Sequence, residues 1–247
     1  MAVNPRPTGP QADSTPPVSI TVFFPCYNEQ DNVRGVTGQA IGVLERIHAD
    51  YEIIIVDDGS RDATGPIADD LAAAHGRVRV IHHPRNLGYG AALQSGFRAA
   101  TKELVFYTDG DGQFDLNELP ALLPLMRDYD IVSCFRVNRQ DNLFRKFGGW
   151  AWTTLNRFAF SLKVRDVDCA FKLYKRAIFD NIRMESTGAL IATEILARAA
   201  RKGYTITERG VHHYPRTAGK QTGANPRVIF RAFRELLKLR RRILTDS

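Results

Sequence analysis

The chain has 247 residues, 44% of them hydrophobic, with 34 Lys and Arg against 27 Asp and Glu for a formal charge of +7. That length can bury a large core without disulfide or metal staples, and the composition excludes a wholly disordered or collagen-like chain. The charge leaves nucleic acid, an anionic membrane surface and a phosphorylated substrate all open as partners.

Residues 1–17 carry five prolines and no apolar core segment, so they read as a disordered tail and not as a signal peptide. Val18–Phe24 is an apolar run stopped by Pro25, as a buried strand would be. From about Glu29 to His48, apolar residues at Val33, Val36, Ala40, Ile41, Leu44 and Ile47 predict a helix with one apolar face. Glu52–Val56 is a second strand, ended by Asp57-Asp58-Gly59-Ser60. Ile67, Ala68, Leu71 and Ala72 mark a second helix stopped by Gly76, and Val78–Ile81 a third strand. Gly90–Ala100 reads as a third helix and Leu104–Tyr107 as a fourth strand. This alternation predicts an α/β domain with a mainly parallel sheet, whose ligands sit at the carboxyl ends of its strands.

Polar clusters close each strand: Pro25–Glu29, Asp57–Ser60, Arg85–Gly90 and Asp109–Gln113. Any one of them is ordinary turn chemistry, but four together converge on one sheet edge. Asp109-Gly110-Asp111 offers two hard oxygen donors one residue apart, suited to Mg²⁺ or Mn²⁺ shared with a diphosphate. An EF-hand loop is a poor fit, because Gln113 stands at the third ligand position and no glycine comes at the sixth. Asp115 reads as the cap of a helix beginning near Leu116. The Gly88-Tyr89-Gly90 pattern comes after the third strand and lacks the full dinucleotide fingerprint.

Together, Pro25-Cys26-Tyr27-Asn28-Glu29, Asp57-Asp58-Gly59-Ser60, Arg85–Gly90 and Asp109–Gln113 resemble glycosyltransferase family 2, and within it the dolichyl/polyprenyl-phosphate sugar synthase branch. Asp166–Lys172 matches part of that branch's D-x-T-S-G-F-R pattern, with Asp168-Cys169-Ala170 and Lys172 as departures. The likeness covers about residues 18–220. It implies a GT-A fold and a nucleoside-diphosphate sugar donor. It also implies roles: Pro25, Tyr27, Glu29 and Asp58 around the nucleoside, and Asp109, Asp111 and Gln113 around the metal and diphosphate. Arg136 and Arg216 would meet phosphates as catalytic cations, while Arg145, Asp166 and Glu194 would join them around the acceptor. The acceptor implied is a polyprenyl or dolichyl phosphate, already an anionic nucleophile, so the expected chemistry is a single displacement with inversion. A family 2 enzyme with a soluble or other lipid acceptor is the nearest alternative, and a basic nucleic-acid-binding module the alternative of another class. The chain lacks an RNP motif, a KH clamp and paired zinc ligands, so nucleic acid is not expected.

The cysteines Cys26, Cys134 and Cys169 show no CxxC pairing, which points to reduced thiols and the cytoplasm. Two segments read as membrane-facing. Residues 142–162 mix six Phe and Trp with Arg145, Lys146 and Arg157, as interface segments do. Residues 221–247 read as a basic amphipathic helix starting near Pro226, and 227–242 hold seven cations against Glu235 alone. The expected organisation is therefore a tail (1–17), a catalytic domain (18–220) and a basic helix (221–247). With no apolar run near the ~20 residues of a bilayer span, the expectation is a peripheral enzyme on the cytoplasmic face of a membrane.

Overall fold

The computed structural model describes residues 17–137, 153–216 and 226–245. The sequence-predicted tail up to residue 16, Arg145 and the first part of the aromatic stretch lie outside the described residues, as does the boundary placed at 220/221.

β1 (Ser19–Cys26) and β2 (Asp50–Asp57) carry apolar runs without alternation, and Val22, Phe23, Phe24 and Ile53–Val56 are fully buried. Such strands need cover on both faces, which helices provide. α1 (Val33–Arg46), α2 (Thr64–Ala74) and α3 (Tyr89–Ala99) connect β1, β2, β3 (Val78–His82) and β4 (Leu104–Thr108) in turn. α1 begins four residues later than its periodicity predicts. Asn32 and Val33 N–H both donate to the Glu29 carbonyl, and this turn leaves Glu29 on the wall of the cleft beyond β1. On α3, a Cβ at Gly96 would overlap the Phe23 ring, so glycine lets the helix settle directly on β1.

β5 (Ile131–Val137), β6 (Phe171–Lys175) and β7 (Ile206–His212) extend the sheet to seven strands, in the order β3-β2-β1-β4-β6-β5-β7. The β1–β2, β2–β3, β1–β4 and β5–β7 pairs are parallel. β6 runs antiparallel between β4 and β5. The strand order reverses at β1 and β4, so a crevice opens beyond their carboxyl ends.

Asp115 caps as predicted, accepting from Asn117 N–H at 2.9 Å, but it opens a pair of 3₁₀ turns, Leu116–Ala121 and Leu123–Arg127, in place of an α-helix. Pro120 lacks an N–H and blocks an α-helical ladder there. Residues 153–160 form α4, on which Phe158 is 86% exposed while Leu155 and Phe160 pack on the core. α5 (Ile178–Asn181), α6 (Ile191–Arg201) and α7 (Pro226–Thr245) are the remaining helices among the described residues. α7 corrects one expectation. Leu236, Leu239 and Ile243 are buried where α7 packs against α6, so this part of its apolar stripe is covered by protein and not left for lipid. Leu237, Lys238, Arg240 and Arg241 face outward.

Candidate active site

The loops after β1 and β2 are laced together. Asn28 takes a left-handed conformation (φ 56°), which Asn tolerates; its N–H donates to Ser60 Oγ, and its Oδ1 accepts from Arg61 N–H. Glu29 N–H donates to Thr64 Oγ1 at 2.8 Å. Gly59 (φ +68°) sits so close to the next loop that a Cβ there would meet Asn86 N and Arg85 Cα, each at 2.6 Å. The β2 and β3 loops therefore touch through main chain, and only glycine permits it.

Asp58 fastens the third loop. Its Oδ1 accepts from Leu87 N–H (2.9 Å) and pairs with His83 Nδ1 (2.7 Å), while Oδ2 accepts from Gly88 N–H (2.9 Å). A carboxylate so engaged fixes the wall of a pocket as well as lining it. Gly88 (φ +101°) then turns the chain into α3 and brings Tyr89 over the fourth loop, where its hydroxyl donates to Asp109 Oδ1 at 3.0 Å.

Asp109 and Asp111 leave the end of β4 on either side of Gly110, which is packed on Cys26. Burial, reinforced by the Asp111 charge, pushes the Asp109 carboxyl up to about 7, against the pull of Tyr89 and Arg136. Burial also raises Asp111, although Gln113 N–H and Arg216 oppose it. Two acids forced together at a cleft and held above their ordinary range are a site short of positive charge.

Arg216 arrives from beyond β7. Its Nη2 lies 2.6 and 2.7 Å from the two Glu29 carboxylate oxygens, and its Nη1 is 3.7 Å from Asp111 Oδ2. Burial raises Glu29, and Asn32 and Arg216 counter it. The segment carrying Arg216 is held by Gln113, whose Nε2 donates to the Tyr214 carbonyl (2.9 Å) and whose carbonyl accepts from Tyr214 N–H (2.8 Å).

Of the residues singled out in the sequence, Pro25, Tyr27, Glu29, Asp58, Asp109, Asp111 and Arg216 line one open cleft of about 940 Å³. Gln113 does not line it; its amide Nε2 donates to the Tyr214 carbonyl, which gives it an anchoring task. Arg136 and Asp166 form a bidentate pair beside the cleft, Nε to Oδ2 at 2.7 Å and Nη2 to Oδ1 at 2.9 Å. Glu194 lies away from the cleft, fully buried in α6, where Oε2 accepts from Glu185 and Ser186 N–H and Oε1 pairs with Arg198 Nε, so it holds a loop.

That loop, 185–188, and Tyr89 are the features sequence reading missed. The loop packs on the start of α3: Gly90 N–H donates to the Thr187 carbonyl, and Gln94 Nε2 to the Ser186 carbonyl. The only signal in the sequence was Gly90 itself, whose Cβ would meet Thr187 C at 2.6 Å.

No helix among the described residues is long and apolar enough to cross a membrane. Nor do three or more His, Cys, Asp or Glu gather into a metal cluster among them. The two aspartates fit a divalent ion that takes one or two protein carboxylates and completes its shell with phosphate and water.

The model of glycosyl transferase family 2 matches residues 21–183. Undecaprenyl-phosphate 4-deoxy-4-formamido-L-arabinose transferase of Pseudomonas fluorescens is 31% identical over 215 residues, covering 85% of this chain and 61% of that protein. Glycosyltransferase AglD of Haloferax volcanii is 33% identical over 223 residues, covering 85% of this chain and 36% of its own length. The chain thus spans between about a third and two thirds of these curated relatives. Among solved structures, glucosyl-3-phosphoglycerate synthase of Mycobacterium tuberculosis, in complex with UDP, superposes with a TM-score of 0.67 at 18% identity, over 90% of this chain and 80% of that one. Mannosyl-3-phosphoglycerate synthase of Rubrobacter xylanophilus gives 0.69 at 18% identity, over 93% and 77%. The architecture is the GT-A fold.

Proposed function

The chain belongs to glycosyl transferase family 2, and from that premise we propose that it moves a sugar from a nucleoside-diphosphate sugar to a polyprenyl or dolichyl phosphate, with inversion, at a membrane surface. The observation that carries this reading is the Asp109–Asp111 pair, two carboxylates raised by burial at the mouth of the β1/β4 crevice. The undecaprenyl-phosphate transferase among the relatives supports a lipid phosphate as acceptor.

Asp109 and Asp111 would hold Mg²⁺ or Mn²⁺, which when bound supplies positive charge to the departing diphosphate. The loops after β2 and β3, joined by Asp58, would form the nucleoside wall together with Pro25, Tyr27 and Glu29 at the end of β1. Tyr89 fixes the Asp109 carboxylate through its hydroxyl, so one oxygen keeps its direction as the donor enters. Arg216 neutralises Glu29 and leans toward Asp111, which lets a second anion approach an acidic site. Arg136, oriented by Asp166, would receive the acceptor phosphate in the same way. That acceptor is anionic at neutral pH, so no side chain needs to remove a proton, and the protein's work is positioning two anions in line.

The test is transfer from a panel of radiolabelled nucleotide sugars, with and without polyprenyl phosphate, counting label in the organic phase. Divalent-dependent label in that phase supports the reading and names the sugar. Label that stays aqueous whatever the lipid overturns the acceptor assignment.

A further inference from the structure

A second cavity of about 360 Å³ lies between the end of α5, the last turn of α6 and the end of α7. Its wall contains Arg183, Arg198, Arg201 and Lys202, together with Asn181, Ile182 and Ile243, and no carboxylate. Arg198 is almost buried, and its charge is met by Glu194 at 2.9 Å and Glu185 at 3.6 Å. Glu185 is shared, since Arg242 Nη1 also reaches it at 3.2 Å. Among the described residues, Arg183, Arg201 and Lys202 have no acidic partner within 4.0 Å.

Cations at the end of a helix complement its dipole, which accounts for Arg201 in the last turn of α6 and for Lys202 at its C-cap. It does not account for Arg183, which comes from a separate segment after α5 and adds its charge to the same cavity. Three uncompensated cations around a concave space favour a multiply charged oxyanion. Lys238, Arg240 and Arg241 of α7 are exposed as well.

We propose that this cavity binds a phosphate group, and that an anionic phospholipid headgroup presents it when α7 lies against a bilayer. The source of the phosphate rests on the membrane-surface part of the proposed function; the chemistry of the cavity does not. At this end of α7, Leu236, Leu239 and Ile243 are turned inward, so the attraction to lipid argued for this cavity is one of charge. The cavity also lies one residue pair from the loop that packs on the start of α3, because Arg198 contacts Glu194 and Glu185, and Glu194 holds the Glu185 and Ser186 backbone.

The experiment uses the full chain and measures binding, not transfer, so it reads out even if the assigned reaction is wrong. Partition onto phosphatidylglycerol/phosphatidylcholine vesicles is compared with pure phosphatidylcholine for the wild type, for Arg183→Ala/Lys202→Ala, and for a control, Arg34→Ala/Arg127→Ala, that removes two exposed cations from other elements. Titrations with glycerol phosphate and with inorganic phosphate form the second arm. The cavity variant should bind anionic vesicles about 25-fold more weakly, at about fivefold per near-surface cation, and the control far less. Loss of soluble phosphate binding in the cavity variant with unchanged vesicle binding would keep the phosphate site and assign it to a free phosphate. Unchanged behaviour in both arms, or an equal loss in the control, would overturn the site.

Discussion

Arg216 lies 187 residues from Glu29 in the chain, yet its Nη2 stands 2.6 and 2.7 Å from the two oxygens of that carboxylate. Both side chains are nearly buried, so the pair closes the cleft between the first strand and the segment beyond the last. Charge-assisted hydrogen bonds of this kind contribute about 1.5–3 kcal/mol. Arg216→Ala should therefore lower kcat/KM by about 10- to 150-fold, with Arg216→Lys intermediate because the ammonium loses the fork. Initial-rate kinetics with varied donor will check this, and near-wild-type values for the alanine variant would remove Arg216 from the site.

The carboxylate pair makes a prediction in pH. Asp109 is raised from 3.8 to about 7, so between those values the folded, metal-free protein holds a proton that the unfolded chain releases. Its contribution to stability is thus full below about pH 4 and lost as pH rises through about 7. Thermal unfolding of the metal-free protein should show Asp109→Asn gaining on wild type across this window and levelling above it. Saturating Mn²⁺ should erase the gain, since the ion stabilises the charged carboxylate. Asp111→Asn should abolish divalent-dependent turnover with a far-UV spectrum unchanged; turnover near the wild-type rate would sink the metal assignment.

The first four strands and their polar ends were legible because each strand is a short, unbroken apolar run closed by turn residues. The second half was not, for reasons visible in particular residues. Lys172 is the second residue of β6, fully buried with its ammonium on the Cys169 carbonyl, and a lysine at that point hides the strand. β7 is ITERGVH, half-exposed over most of its length, with little apolar pattern to read. In the site, the resemblance brought seven cleft residues together, but it could not tell a ligand from a brace. Gln113 and Glu194 carry the right chemistry for binding, and their partners lie in contacts, Tyr214 and the 185–186 backbone, that only the fold creates.

Gly90 gives a sharper test of the loop that packs on α3. A methyl there would meet Thr187 C at 2.6 Å and Gly188 O at 2.8 Å, and main chain does not move aside as a flexible side chain does. Gly90→Ala should cost about 1–3 kcal/mol, as overpacking does, and push loop 185–188 away from the start of α3, which carries the cleft residue Tyr89. A lowered denaturation midpoint together with a raised KM for the donor is the expected signature. Wild-type stability would show that the loop gives way freely.

Glu194 separates a bracing role from an acceptor-binding one. Its carboxylate is fully buried and holds Glu185 N–H at 3.1 Å, Ser186 N–H at 2.7 Å and Arg198 Nε at 2.9 Å. Glu194→Ala leaves two backbone donors and part of a nearly buried guanidinium without their acceptor, a loss of about 3–5 kcal/mol. Glu194→Gln keeps one oxygen and the shape but reverses the other end into a donor, so it should recover only part of that stability. Chemical denaturation of both variants measures the order, wild type above glutamine above alanine. If Glu194 instead met the acceptor, the glutamine variant would unfold like wild type and show its defect only in the KM for the lipid phosphate.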